Sequence, residues 1–141
     1  MQTNLPDQIA NLVICISTLE HLGLGRYGDP LDVNGDINAM KEAHRILKLG
    51  GHLVLTIPYG YPTVVFNLNR IYDSGRVQIL SEDFETVIVE YNLYGFPCIR
   101  EYIEEKRVAT YIPGYYEDNR SESERHPEAP GGILLLMRKT Q

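Results

Sequence analysis

Two short apolar runs that flank an amphipathic segment constrain the fold more than any other feature of this 141-residue sequence. The first run, Leu12–Ile16, is short and rich in β-branched side chains, which favours a strand buried on both faces. Asp36 has the short acceptor side chain of a helix N-cap, and apolar residues recur after it at helical spacing. The expected helix ends at Gly50–Gly51, because glycine readily takes the backbone conformation that follows a helix. His52–Ile57 is predicted as a second strand, closed by Pro58.

A strand, a crossover helix and a second strand form a unit whose two strands are parallel neighbours with a right-handed connection. The rest of the chain is less regular. Tyr59–Asn69 is predicted as a loop, and Arg70–Leu80 holds one short helix. Phe84–Tyr91 and Gly132–Arg138 are the third and fourth strands. Glu117–Pro130 is charged and almost without apolar residues, so we expect a mobile surface loop there.

Composition excludes several classes of function. The length corresponds to one domain, and the net charge of −6 argues against nucleic-acid binding, which leaves a basic footprint. No apolar run approaches the roughly 20 residues of a membrane span, and the first residues do not resemble a signal peptide. Cys15 and Cys98 are not in a C-x-x-C motif, and Cys15 is expected as a buried free thiol. A reducing, cytoplasmic location fits best.

Two sequence motifs resemble ligand sites without meeting their requirements. The run Gly23–Gly28 satisfies G-x-G-x-x-G, but Asp29–Pro30 follows where the phosphate-binding helix would have to begin, so a structured glycine loop is the better interpretation. Asp32–Asp36 resembles the start of a calcium loop. That loop needs glycine at its sixth position and glutamate at its twelfth, where this chain has Ile37 and Ala43. These aspartates are expected in turns and caps, and no metal site is predicted.

Glu20 and His21 directly follow the first strand, at the end where open α/β sheets bind their ligands. Histidine titrates near neutral pH, and a neighbouring carboxylate can orient it, so His21 is a candidate general base. The alternative is that both side chains only form hydrogen bonds with the glycine loop that follows.

A second polar group follows the second strand and contains Arg70, Tyr72 and Arg76, with Tyr59 and Tyr61 upstream. Arginine forks match carboxylate and phosphate groups, so this group is a candidate clamp for an anionic or sugar-like substrate. Packing of tyrosines at the surface is the alternative.

These residues together resemble a known family. Leu12–Leu22, followed by Ala39–Pro58, is similar to the second half of class I S-adenosylmethionine-dependent methyltransferases. In that family a strand ending in an E-H pair precedes a helix ending L-K-P-G-G and the next strand; here Leu49 replaces the proline. The resemblance implies an α/β fold with a partial Rossmann-like sheet. The chain would supply strands four to seven of the order 3-2-1-4-5-7-6, the last one antiparallel.

The resemblance also implies roles for individual residues. Glu20 and His21 would be catalytic and face the cofactor or the substrate. The expected contacts to S-adenosylmethionine are Ser17, Thr18 and Leu19. The expected contacts to a small-molecule acceptor are Arg26, Tyr59, Arg70 and Tyr72.

The family's glycine-rich cofactor loop and its ribose-binding acidic residue belong upstream of these strands, where this chain has only Met1–Asn11. We therefore expect a single domain, 1–141, that lacks the N-terminal cofactor-binding half and binds the cofactor weakly or not at all alone. Leu12–Ile16 would then be an apolar sheet edge that needs a cover, from a homodimer or a partner chain; the third alternative is a truncated gene product of marginal stability. Two functions stay open: a methyltransferase once completed, or a non-catalytic partner or assembly module.

Overall fold

The computed structural model of the protein describes residues 2–93, 96–98 and 131–141. The predicted loop Glu117–Pro130 lies outside these residues. The strands are β1 (Ala10–Ile16), β2 (Leu47–Tyr59), β3 (Thr63–Val65), β4 (Asn69–Ile71), β5 (Phe84–Leu93), β6 (Phe96–Cys98) and β7 (Gly131–Lys139). The helices are α1 (Gly35–Ile46) and α2 (Ser74–Leu80), and a 3₁₀ turn covers Leu19–His21. No helix in the described part of the chain is long and apolar enough to cross a membrane.

Five strands form one sheet in the order β1-β2-β7-β5-β6, and β3 pairs with β4 in a separate two-stranded ribbon. The first two strands are parallel, as the strand-helix-strand pattern predicts. Strand β7 lies between β2 and β5 and is antiparallel to both. The four long strands therefore have the order and directions that the family resemblance implies for its last four strands, and the predicted α/β fold with a partial Rossmann-like sheet is confirmed.

One face of the sheet carries the hydrophobic core. Because side chains alternate between the two faces of a strand, every second residue of β2 and β7 points toward the helices. Leu53, Leu55, Leu135 and Met137 are almost completely buried on that face, packed with Met40 of α1 and other buried residues. Helices α1 and α2 therefore cover this side of the sheet.

The opposite face of the sheet is apolar and largely uncovered. The register places Ile14 of β1 beside Val54, Val54 beside Leu136, and Leu136 beside Ile88, in one row across four strands. Ile14 is 59% exposed, and Ile88 at the other end of the row is 43% exposed. Within the described residues, nothing packs over this face, which we call the bare face.

The boundaries predicted for α1 and β2 are wrong. Asp36 is not the N-cap, because the helix begins at Gly35 after Asn34, and the Asp36 carboxylate is fully buried. The helix ends at Ile46, and Gly50 lies within β2 with φ of 78°. The physical reason is a distant residue: the Lys139 Nζ donates hydrogen bonds to the carbonyls of His44 (2.8 Å) and Leu47 (3.0 Å), which satisfies the end of the helix.

Three other expectations need correction. The segment predicted as a loop before Arg70 contains β3 and the start of β4. β2 does not end at Ile57 but continues through Pro58 to Tyr59, because both of these residues still pair with β7. Cys15 is a free thiol but only half-buried, since it lies on the strand at the sheet edge, and its partial burial raises its pKa.

Candidate functional site

The carboxyl end of β1 is shaped by a strained residue. Ser17 has φ of 44°, a value that residues other than glycine rarely take, and its amide donates to the Thr56 carbonyl at 3.2 Å. The chain then turns through the 3₁₀ turn that carries Glu20 and His21. Such strain is typical of functional positions, where the surrounding structure holds the backbone in place.

Glu20 and His21 lie side by side in this turn, and their predicted catalytic roles stay predictions. The Oε1 atom of Glu20 lies 3.8 Å from Nε2 of His21, and Nδ1 of His21 lies 2.6 Å from the Leu68 carbonyl oxygen. A carbonyl only accepts hydrogen bonds, so Nδ1 must carry a proton, and in the neutral ring Nε2 keeps a free lone pair. The imidazole is 23% exposed. It can therefore accept a proton at Nε2 from a group that approaches it.

The Glu20 carboxyl group is buried at a cost. The residue is 3% exposed, and its Oε2 atom has no hydrogen-bond partner among the described residues. Burial raises the pKa of Glu20, because the charged form loses its solvation. This carboxyl group thus keeps its proton to a higher pH than an exposed glutamate does.

The glycine loop binds its own aspartate. The Asp29 carboxylate accepts hydrogen bonds from the amides of Gly23 (2.7 Å), Gly25 (3.4 Å) and Tyr27 (3.2 Å). Gly23 has φ of 77°, and a Cβ atom there would lie 2.1 Å from the Asp32 carbonyl oxygen. The amides that a phosphate would need are already used, which agrees with a structured loop and not with a phosphate cradle.

A second polar cluster lies beside this loop. The Asp36 carboxylate accepts from Nη2 (2.7 Å) and Nε (3.2 Å) of Arg76, and Nε of Arg70 lies 4.0 Å from it. Arg70 also donates to the backbone carbonyls of Leu22 and Asp32. The buried guanidinium of Arg70 therefore ties both ends of the glycine loop to β4.

Tyr72 completes this second cluster. Its backbone bridges to the end of β2, with the Tyr72 amide donating to the Pro58 carbonyl at 3.1 Å. The side chain is buried, and its hydroxyl has no hydrogen-bond partner in the described part of the chain. Burial, followed by the charge of Asp36, raises the pKa of Tyr72 well above its ordinary value, so the hydroxyl stays protonated.

The structure groups only some of the predicted site residues. Arg70 and Tyr72 line one cleft, whereas the guanidinium of Arg26 lies over the Tyr27 ring on an exposed loop. Leu19 and Tyr59 are fully buried in the core, so their side chains do not face solvent. The roles predicted for Ser17, Thr18 and Leu19 at a cofactor, and for Arg26 and Tyr59 at an acceptor, stay predictions.

Two residues of the second cluster, Arg76 and Asp36, are not among the site residues that the sequence predicts. Arg76 was part of the polar group that suggested a clamp, but only the structure gives it a bidentate partner. Asp36 was interpreted as a helix cap, because an acidic residue near a helix start normally has that role. No local signal identifies their pairing, since the two residues are 40 positions apart.

Solved structures identify the class to which this fold belongs. The chain is similar to a protein proposed to be a methyltransferase from Bacillus halodurans, with a TM-score of 0.58 and 16% identity over 99% of this chain and 74% of that one. It is similar to a SAM-dependent methyltransferase from Methanosarcina mazei with a TM-score of 0.60 and 10% identity, over 99% of this chain and 63% of that one. It is also similar to the N-methyltransferase NodS from Bradyrhizobium japonicum, which was solved with S-adenosyl-L-homocysteine. The TM-score is 0.54 and the identity 14%, over 100% of this chain and 50% of that one.

At these identities the likeness concerns the fold, which is the fold of SAM-dependent methyltransferases, present in part. The chain spans between half and about three quarters of each solved chain. The chain belongs to the family described as Caenorhabditis protein of unknown function, DUF268, whose model matches residues 6–107. No curated protein matches the sequence.

Proposed function

We propose that this chain is the methyltransferase-type domain of an enzyme that transfers a methyl group from S-adenosylmethionine to a small-molecule acceptor. The observation that carries the proposal is the pair of Glu20 and His21 at the carboxyl end of β1, in a sheet with the strand order of methyltransferases. Ligands of open α/β sheets lie beyond this end of the strands. The free thiol of Cys15 supports a reducing, cytoplasmic location.

His21 is the proposed general base. Its Nδ1 proton is held by the Leu68 carbonyl, which fixes the ring and leaves Nε2 available to take a proton from the acceptor. Glu20 is proposed to orient the ring and to stabilise the imidazolium that forms, from 3.8 Å away. Proton removal is needed only where the acceptor atom carries a proton that must leave.

The residues at the end of β1 fit one wall of a cofactor site. Ser17 and Thr18 are exposed there, and the strained backbone of Ser17 presents them outward. When bound, S-adenosylmethionine supplies an electrophilic methyl group. The glycine-loop amides are engaged by Asp29 and are not available to hold its carboxylate end. This supports the expectation that the chain alone binds the cofactor weakly.

We propose that the rest of the site is supplied by the same polypeptide that packs on the bare face and pairs with β1. Strand β1 lies at the edge of the described sheet, and Leu12, Ile14 and Ile16 are 52%, 59% and 59% exposed on the bare face. An apolar edge next to an apolar face is a site for further pairing. The solved methyltransferases have about a quarter to a half of their chains outside the matched region.

We propose that the cover is a partner polypeptide with a strand and amphipathic helices, and not a second copy of this chain. Two copies joined through β1 would form a continuous sheet but leave the bare faces exposed. Two copies stacked through the bare faces would bury those faces but leave the edges of β1 unpaired. A strand placed beside β1, with helices lying over Ile14 and Leu136, would satisfy both surfaces at once.

The cofactor proposal is tested by NMR on the ¹⁵N-labelled chain titrated with S-adenosylhomocysteine. We expect saturable shifts of the Ser17, Thr18 and His21 amides, with a dissociation constant of about 1 mM or weaker, because the described residues form one wall of the proposed site. A micromolar affinity would contradict the incomplete site. Absence of shifts at these amides up to about 10 mM, where adenosine and methionine serve as controls, would overturn the proposed cofactor site.

That second outcome would favour the alternative function, a non-catalytic partner or assembly module. The specific observation in its favour is the bare face, since an exposed apolar surface of this kind marks an interaction site irrespective of catalysis.

The proposed cover is tested by sedimentation of the purified chain. We expect concentration-dependent association without a defined stoichiometry, reduced by Ile14→Lys on the bare face. The matched control is Leu49→Lys, an exposed leucine at a strand irregularity of β2. A discrete dimer that Ile14→Lys dissociates would contradict the strand-and-helix cover, and so would a stable monomer.

A further inference from the structure

A cleft of about 310 Å³ lies next to the second polar cluster. Its walls come from the loop before α1, from the β3–β4 ribbon and from the first turn of α2. Its lining residues include Val33, Thr63, Val64, Arg70, Tyr72 and Arg76. A volume of this size is at the lower end of the range of small-molecule sites, so it suits one functional group or a compact molecule.

The lining of the cleft is positively charged. Two guanidinium groups, from Arg70 and Arg76, line it, and its described lining residues include no carboxylate. Behind the wall, the buried Asp36 carboxylate pairs with both guanidinium groups, and the Asp32 carboxylate also interacts electrostatically with Arg70. The guanidinium donors that line the cleft therefore favour an anionic ligand.

Arg76 has donors available for such a ligand. Its Nε and Nη2 atoms bind Asp36, but its Nη1 has no partner within the described residues, and the side chain is 30% exposed. A guanidinium carries five N–H donors, so at least the two on Nη1 remain for a ligand. The bidentate bond to Asp36 fixes the direction of the group and lowers the entropy lost on binding.

Arg70 has a different part. Both of its terminal nitrogens already bind backbone carbonyls, and the side chain is almost completely buried. It therefore contributes charge and rigidity to the cleft. Tyr72 also lines the cleft, but its hydroxyl is buried, so a ligand in the cleft does not reach it.

We propose that this cleft binds an oxyanion group, a carboxylate or a phosphate, of a small molecule through the free Nη1 edge of Arg76. In naming that molecule as the methyl acceptor, the inference rests on the proposed function. The acceptor would then be an anionic small molecule, anchored beside Arg70, whose bond to the Leu22 carbonyl joins the cleft to the turn that carries His21. An apolar ligand would leave the Nη1 donors of Arg76 without an acceptor, and a cation would be repelled by the two guanidinium groups.

The test is an NMR titration of the whole chain at low ionic strength with inorganic phosphate and, separately, with acetate. We expect saturable shifts of the Thr63, Val64 and Arg76 amides with at least one of the two ions. Phosphate alone, acetate alone or both would support the oxyanion site and identify which group it takes. No shifts at these amides with either ion up to about 50 mM would overturn the proposal.

A pair of matched variants shows whether the cleft is responsible. Val33→Glu puts a negative charge at the rim, where the valine is 83% exposed and has no part in the Asp36 network. We expect about a five-fold weaker affinity for the ion, from like-charge repulsion at short range. Val87→Glu makes the same change in net charge on β5, outside the cleft, and should leave the affinity unchanged.

Equal affinities for the two variants would overturn the site, because overall charge would then explain the binding. Arg76→Lys keeps the charge but loses the fork, and it should weaken phosphate binding while the chain still unfolds cooperatively. These measurements use no S-adenosylhomocysteine. A failure of the proposed function therefore appears at the amides of Ser17 and Thr18, and a failure of the oxyanion site appears at those of Thr63 and Arg76.

Discussion

Replacing Asp36 by asparagine tests the second polar cluster most directly. The carboxylate is fully buried, makes two hydrogen bonds to Arg76 and lies 4.0 Å from Arg70. Asparagine has almost the same shape, so the change removes the negative charge without creating a cavity. The two guanidinium groups would then lose the carboxylate that pairs with both of them.

The expected loss of stability follows from the burial of these groups. Removing one partner of a buried ion pair typically costs about 3–5 kcal/mol, because the other charge is left uncompensated. Arg76 is 30% exposed and can move part of its charge into water, so the loss should be about 2–4 kcal/mol. For a chain of this length that corresponds to a fall in melting temperature of roughly 10 °C.

The measurement is urea unfolding followed by circular dichroism, with a matched control. Arg138 and Glu85 form another arginine–carboxylate pair, at 2.6 Å, whose side chains are 46% and 48% exposed. Glu85→Gln should cost less than about 1 kcal/mol, because water screens the exposed pair. If Asp36→Asn were no more destabilising than Glu85→Gln, the buried cluster would not have the structural importance argued for it.

Two further changes test other parts of the site. Burial raises the pKa of Glu20, so its contribution to stability is present below its ordinary pKa of 4.5 and is lost as the pH rises through the pKa of the folded state. Glu20→Gln should therefore increase the free energy of unfolding by about 1–3 kcal/mol at pH 8 and much less at pH 4. An equal effect at both pH values would contradict the burial argument. Gly35→Ala should destabilise the fold by about 1–3 kcal/mol, since the new Cβ atom would lie 2.6 Å from the Leu22 carbonyl oxygen. The control is Gly75→Ala in α2, which should be neutral or stabilising because no atom lies closer than 3.6 Å to its Cβ position. Thermal unfolding of both variants provides the comparison.

The sequence predicts the long elements well because their signals are local. A short β-branched run is enough to indicate β1, and the spacing of apolar residues indicates α1. Parallel pairing of β1 with β2 follows from the crossover between them. The position of β7 between β2 and β5 was implied by the family resemblance, since no local pattern gives the order of strands in a sheet.

The ends of the elements and the second polar cluster depend on contacts between distant residues. Helix α1 ends where Lys139, 95 positions from His44, supplies a cation to its last carbonyls. Asp36 forms its ion pair with Arg76, which is 40 positions away in the sequence. The local sequence around Asp36 therefore indicates an ordinary helix cap and not a buried ion pair. The glycines at positions 50 and 51 resemble the end of a helix in sequence. Their local preference fits either a helix end or an irregular strand, so the local sequence does not distinguish the two.

The buried polar groups and the apolar edge of the bare face lie at the same end of the sheet. Glu20 and Tyr72 each bury a polar atom that has no partner in the described part of the chain, which costs stability and is usually tolerated only where function requires it. Both lie near the carboxyl ends of β1 and β2, and β1 lies at the edge of the sheet that the described residues form. A strand added to that edge would end beside Ser17 and Glu20, so the proposed unit that covers the bare face would also add the second wall of the proposed cofactor site.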